Sequence, residues 1–321
     1  MRSRPTTVAL SFVPGISLLD NLVTLSHLDL LRDVHTVKLY SLPEPSRHRD
    51  LAVEHFALGQ LGQLPAVREA RLCEPLPLFH IFPNMQTLCA SNELSQLTPQ
   101  KWMWPASVPL VDVSIDFEDL VHFTRAPIRR LYLYEYSSPD HTLDQLASTL
   151  QSARPICLSF VFYEVGRMEN DPLRNWAGVF QTILCSQGHL RYLEATFDCT
   201  YVHGDNSLSP WMAEWFLPVI AQSNGDSSLL CMRLNFRVMV NRLTHARVPS
   251  LSHSTLQDAA QRVARHVPSV KFICIAMEPD YPEDQHLESI TNEAGERLEH
   301  YMRSADFERK LSLDGFSLTG A

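Results

Sequence analysis

A short phrase recurs along this chain: an apolar residue, two intervening positions, then apolar–x–apolar. It stands as Val67–Arg–Glu–Ala70–Arg–Leu72, as Phe82–Pro–Asn–Met85–Gln–Thr–Leu88–Cys–Ala90 and as Ile128–Arg–Arg–Leu131–Tyr–Leu133. It returns as Leu190–Arg–Tyr–Leu193–Glu–Ala195, Leu229–Leu–Cys–Met232–Arg–Leu234 and Val267–Pro–Ser–Val270–Lys–Phe–Ile273–Cys–Ile275. Apolar–x–apolar is the period of a strand with one buried side. A strand phrase repeated along a chain implies stacked units, each of which buries its face only against its neighbours, and such arrays mostly bind other proteins.

The first apolar residue of each pair serves as an anchor: Val37, Ala70, Leu88, Val113, Leu131, Leu158, Leu193, Met232, Ile273 and Leu311. The steps between anchors range from 18 residues (Ala70 to Leu88) to 41 (Met232 to Ile273). The longer steps contain helical spacings. One helix starts near Thr142 with Leu143, Leu146, Ala147 and Leu150 on one side, and another covers about 175–187 with Trp176, Val179, Phe180, Ile183 and Leu184. Two more are predicted over about 210–222 and 254–266, and a charged one over about 287–304 reads as a terminal cap. Leu18, Leu19, Leu22, Leu25, Leu28 and Leu31 predict a helical N-terminal cap over residues 1–33. Strand–helix–strand with successive strands adjacent gives a parallel sheet. The expected fold is therefore α/β, an irregular solenoid with parallel strands on one face and helices on the other. No Gly/Ser linker divides the chain, so residues 34–321 are expected to form one elongated unit.

Composition narrows the functional classes. A formal net charge of −9 opposes a nucleic-acid surface, which needs a basic face. The seven cysteines are odd in number and lack framework spacing, so they read as reduced thiols, several of them inside strand phrases. No apolar run reaches the roughly 18–20 residues of a membrane span. Pro14–Gly15 interrupts the apolar stretch Val8–Val13, which otherwise has the outline of a secretory leader. A cytoplasmic or nuclear location is expected.

The phrases Leu64–Pro–x–Val67 and Phe82–Pro–Asn–Met85 resemble the leucine-rich repeat, in which an asparagine often closes the consensus, as Asn92 does in one unit. The long helix-bearing units resemble those of fungal F-box/leucine-rich-repeat proteins, as does the tail from Glu293 through Phe307 and Leu311 to Phe316. The resemblance covers most of residues 34–321. It implies a substrate-receptor role in ubiquitin ligation and a Skp-type adaptor as partner. Leu25–Ser–His–Leu–Asp–Leu–Leu31 echoes a fragment of the F-box, but no Leu–Pro opening precedes it and a strand is predicted from Val34. The resemblance thus implies the target-binding half of such a receptor.

Period-two alternation predicts the outward face. Over 111–118, Asp112, Ser114, Asp116 and Glu118 point outward, and over 131–136 Tyr132, Tyr134 and Tyr136 do so. If these strands are neighbours, an acidic row lies beside a tyrosine row, which forms either a binding face or a surface covered by a loop or helix. Glu194 and Asp198 project from one later strand and Arg233, Asn235 and Arg237 from the next, either for a partner or as a solvated or mutually paired charge face. The candidate binding residues are Asp112, Asp116, Tyr132, Tyr134, Tyr136, Arg233 and Arg237. Trp102, Met103 and Trp104 form either an exposed patch or a packed plug.

Cys185–x₃–His189 and Cys199–x₃–His203 have zinc-ligand chemistry, but a strand over 191–198 would separate them by roughly 26 Å, too far for one ion. There is no Gly-x-Ser-x-Gly elbow and no Gly-rich phosphate loop. Asp280, Glu283 and Asp284 read as a solvated loop. The leading expectation is a non-catalytic protein-interaction module, with no cofactor and no metal. An enzyme with a pocket at the solenoid edge, or a purely structural scaffold, are the alternatives.

Overall fold

The computed structural model describes residues 6–11, 32–40, 63–72, 78–90, 103–136, 142–165, 173–185, 189–200, 229–239, 272–279 and 289–290, with isolated positions between 260 and 270. The chain divides into two compact units, Met1–Tyr132 and Leu133–Ala321, where one elongated unit is expected from the sequence. The class is α/β with parallel strands.

In the first unit β1 (Thr7–Ser11), β2 (Thr36–Tyr40), β3 (Glu69–Leu72), β4 (Thr87–Ala90), β5 (Leu110–Asp116) and the first part of β6 (Ile128–Tyr136) lie side by side in chain order. The register explains the recurring phrase: Val8, Val37, Ala70, Leu88 and Val113 oppose one another on successive parallel strands. The anchors are thus one row of the sheet, and Val37, Ala70, Leu88 and Val113 are fully buried. The connections here are short. A 3₁₀ turn (Leu78–His80) precedes β4 and a longer one (Phe117–Phe123) follows β5.

Trp104 is the plug of this unit. It is 0% exposed, stacks on Phe123 at 5.8 Å and meets Phe79 edge-on at 5.3 Å. Its indole N–H donates to the Val108 carbonyl at 2.9 Å. Met103 beside it is 42% exposed, and Trp102 lies outside the described residues.

The second unit holds the rest of β6, then β7 (Cys157–Val165), β8 (Tyr192–Thr200), β9 (Cys231–Met239) and β10 (Phe272–Pro279), parallel from β7 to β10. Leu158, Leu193, Met232 and Ile273 again share one row. Here the connections are full helices. Helix α1 (Thr142–Ala153) buries Leu146 and Leu150 of the predicted stripe together with Thr149 and Ala153, while Ala147 is half-buried and the Leu143 side chain lies outside the described residues. It ends where Arg154 enters the left-handed region at φ 51°, its N–H bonding the Leu150 carbonyl at 3.2 Å, and Pro155 follows. Helix α2 (Leu173–Cys185) sets Phe180 edge-on against Phe160 of β7 at 6.4 Å, so the helices cover the same side of the strands as the anchor row.

The structure differs from the predicted elements at two places. Thr7–Ser11, expected within a helical cap, is a strand paired with β2, in which half-buried Val8 continues the anchor row opposite Val37. Ser289–Ile290, expected to open a charged helix, is a short antiparallel strand β11, with Ile290 opposite Ile275. The helical spacing of Leu18–Leu31, the helix at 210–222, the anchor Leu311 and the rest of the terminal helix lie outside the described residues. Within the predicted helix at 254–266, the described positions 260, 261, 263 and 265 are helical, with Val263 buried.

Candidate functional site

The side of the strands opposite the anchors carries the polar residues, and its two parts differ. In the first unit Thr36, Glu69, Thr87 and Asp112 form one row, and Lys38, Arg71, Cys89 and Ser114 form the next. All eight retain solvent exposure. Glu69 accepts from the Arg71 Nε at 2.7 Å and from the Thr36 hydroxyl at 3.4 Å.

The expected acidic and aromatic rows are neighbours within this unit. The Leu110 N–H bonds the Pro127 carbonyl at 2.9 Å, and Arg130 forms a two-pronged ion pair with Asp112, Nη2 to Oδ2 at 2.6 Å and Nε to Oδ1. That bond and ion pair put Ser114 and half-buried Tyr132, two residues further along each strand, in one row. Asp112 is therefore committed to Arg130. Arg130 is not among the residues expected at this site, although aligning the anchors Val113 and Leu131 puts it beside Asp112. Asp116 ends β5 half-buried, at the N-cap of the 3₁₀ turn with φ −71° and ψ 153°, and its side chain does not cap that turn. Within the turn, Asp119 and His122 are both buried, three residues apart and so on one side of a 3₁₀ helix. Neither stands out in the sequence, because nothing in Phe117–Phe123 distinguishes a buried carboxylate from a solvated one.

Tyr134, in the second unit, is 37% exposed and with Met103 one of the two exposed large hydrophobic residues among those described. Tyr136 closes β6, and its side chain lies outside the described residues.

On β7–β9 the outward side is occupied by a paired and largely buried network. Ser159, Glu194 and Arg233 share a row, and Val161, Thr196 and Asn235 share the next but one. Glu194 accepts from the Ser159 hydroxyl at 3.1 Å and from Asn235 Nδ2 at 3.2 Å, and its Oε1 lies 3.4 Å from the Arg233 Nε. The same Arg233 Nε donates to Asn235 Oδ1 at 2.8 Å, and Asn235 Nδ2 lies 3.4 Å from the Thr196 hydroxyl. Arg233 is 6% exposed and Asn235 4%. Of the two possibilities weighed for this strand pair, Arg233 takes the paired one. Arg237 stands in register with Asp198 on one side and Glu278 on the other, an alternation of charge that the strand spacing permits, and its side chain lies outside the described residues.

Tyr192 begins the same outward side between Cys157 and Cys231. Burial first, then the Glu194 carboxylate and the two thiols, hold its phenol well above the ordinary value of 10.0, with the Arg233 guanidinium acting in the opposite direction. Below pH about 10 both folded and unfolded chains keep this proton. Above it the unfolded chain releases the proton first, so stability falls with a slope of up to about 1.4 kcal/mol per pH unit until the folded phenol also ionises. Urea titrations across that range are expected to show this loss in the native chain and its absence in Tyr192→Phe. Cys157 and Cys231 sit two strands apart, roughly 9.6 Å, which is beyond disulfide reach.

Among the described residues, no group of three or more His, Cys, Asp and Glu is placed to hold a metal ion. Cys185 is exposed at the end of α2, His189 is exposed ahead of β8, and Cys199 lies near the far end of that strand. His203 and the acidic loop Asp280, Glu283 and Asp284 lie outside the described residues. Among those residues, no helix is long and apolar enough to cross a membrane.

Fold and face together define an α/β protein of parallel strands. In each unit the anchor side is apolar and the opposite side polar; helices cover the anchor side of the second unit, the polar row residues of the first unit keep solvent exposure, and Thr196, Arg233 and Asn235 of the second are buried. No protein-family model matches the chain, and neither does any curated protein or solved structure.

Proposed function

We propose that this chain is a non-catalytic protein-interaction module, an irregular leucine-rich-repeat-like solenoid that binds a protein partner on the outward strand face of its first unit. The observation that carries this reading is the difference in exposure. The described polar outward side chains from Thr36 on β2 to Tyr132 on β6 reach solvent, whereas Thr196, Arg233 and Asn235 on β8–β9 are buried. Tyr132 serves as the aromatic anchor, because a tyrosine offers a large contact area with few rotors to immobilise. The Asp112–Arg130 pair beside it holds that end of the face in one geometry.

Co-purification of partners on the full chain, followed by Tyr132→Ala, tests the reading. The substitution is expected to weaken capture about tenfold or more, the usual scale of an aromatic hot spot, with the unfolding midpoint unchanged. Unchanged capture would remove Tyr132 from the site. Resemblance to F-box/leucine-rich-repeat proteins supports a substrate-receptor role in ubiquitin ligation. Direct binding of a purified Skp-type adaptor to the full chain is the expected result, and absence of binding would sink that role while leaving the interaction module standing.

A further inference from the structure

The row next to the acidic one on the first unit's outward face reads Lys38, Arg71, Cys89, Ser114 and Tyr132 from β2 to β6. Its ends are long side chains and its middle is small. Lys38 and Arg71 are directly opposed on adjacent parallel strands, an arrangement of like charges that disfavours the sheet. Glu69, bonded to Arg71, offsets one of the two cations. Lys38 has no ion-pair partner among the described residues. Among the described residues, Lys38, Arg71 and Glu69 together give the β2–β3 end of the face one net positive charge, while Asp116 places a carboxylate on β5.

Given the protein-binding role proposed above, we infer that the occupant of this face is an extended peptide segment with an acidic side chain, which docks on Lys38 and Arg71. Strands lie roughly 4.8 Å apart, so one carboxylate can accept charge-assisted hydrogen bonds from both cations. From β3 to β6 is three such gaps, roughly 14 Å, and an extended chain covers that in about four residues. A segment crossing the strands thus meets the basic pair with its acid, passes over the small side chains of Cys89 and Ser114, and reaches Tyr132 about four residues later. Asp116 sets the direction, because it opposes an acid at that end. Nucleic acid is disfavoured by Glu69, Asp112 and Asp116 on the same face. The overall charge of −9 does not forbid an acidic peptide, since charges beyond about 8–10 Å are screened at physiological salt.

The test is selection of a displayed random decapeptide library on the full chain. The expected consensus is Asp or Glu about four residues from an aromatic or large apolar residue. The synthetic consensus peptide is expected to lose about tenfold in affinity for Lys38→Glu, as attraction becomes repulsion at one exposed site. Lys38→Glu sets opposite charges across β2 and β3, so the variant should fold at least as well as the native chain, which its thermal midpoint checks. In the double variant K38E/R71E, a peptide with Lys in place of the acid should bind better than the original. Selected peptides that lack an acid, or that bind Lys38→Glu unchanged, would overturn this assignment and leave the protein-binding reading intact. A library that yields no binder above the bare support would overturn both.

Discussion

Replacing Trp104 with alanine is expected to destabilise the first unit by about 3–5 kcal/mol, the scale for deleting a buried aromatic from a core that cannot collapse around the loss. The indole fills the junction of three connections. Phe79 belongs to the 3₁₀ turn before β4, Phe123 ends the turn after β5, and Trp104 itself lies in the loop that leads into β5. Its backbone N–H bonds the His122 carbonyl at 2.7 Å, and its ring N–H bonds the Val108 carbonyl at 2.9 Å, so the loop folds around its own side chain. Trp104→Phe keeps a ring for Phe79 and Phe123 but strands the Val108 carbonyl, and about 1–3 kcal/mol is expected from that loss alone. Denaturant unfolding followed by near-ultraviolet circular dichroism would give the ordering: native, then Trp104→Phe, then Trp104→Ala. Amide exchange supplies the spatial control. Protection should fall in β4 and β5 and stay unchanged in β8 and β9, because the lost contacts all belong to the first unit. Equal costs for the two substitutions would mean that the ring contacts contribute little.

How this arrangement could be read beforehand depends on the range of each interaction. Strand positions were legible because period-two alternation is local. Val37, Ala70, Leu88 and Val113 announce themselves by their immediate neighbours, and the register then places them in one row. The α1 stripe was legible for the same reason at period 3.6. Thr7–Ser11 was misjudged because one five-residue strand beside a leucine-rich helical spacing carries little local signal, and only its pairing with β2 decides it. Burial of the outward face was illegible from alternation, which says which side a residue takes and not what lies over that side. Ser114 and Arg233 each follow the anchor of their strand on the outward side, yet Ser114 keeps contact with solvent and Arg233 is buried. The division of the chain at Tyr132 likewise has no compositional mark, since it falls inside β6, where Leu131–Tyr–Leu–Tyr134 keeps alternating across it.

That contrast makes Arg233 a residue of stability where the spacing offered it as a contact for a partner. Arg233→Ala is expected to cost about 3 kcal/mol, the lower end of the range for breaking a buried ion pair. The lower end applies because Glu194 would still accept hydrogen bonds from Ser159 and Asn235, and because its side chain is 26% exposed, so the carboxylate left behind is only partly desolvated. Asn235 fares worse, since its Oδ1 loses the Arg233 donor in a site with little solvent. Arg233→Met restores most of the aliphatic volume and should be less damaging than Arg233→Ala. Adding Glu194→Gln to Arg233→Met removes the second charge as well. The pair should recover at least half of the alanine loss, since a neutral amide leaves no carboxylate without its cation. A double-mutant cycle on Arg233 and Glu194, read by urea unfolding, should give a coupling on the order of 1–2 kcal/mol. A coupling near zero, with partner capture lost in Arg233→Met, would return Arg233 to the binding face and require β8–β9 to open before a partner could reach it.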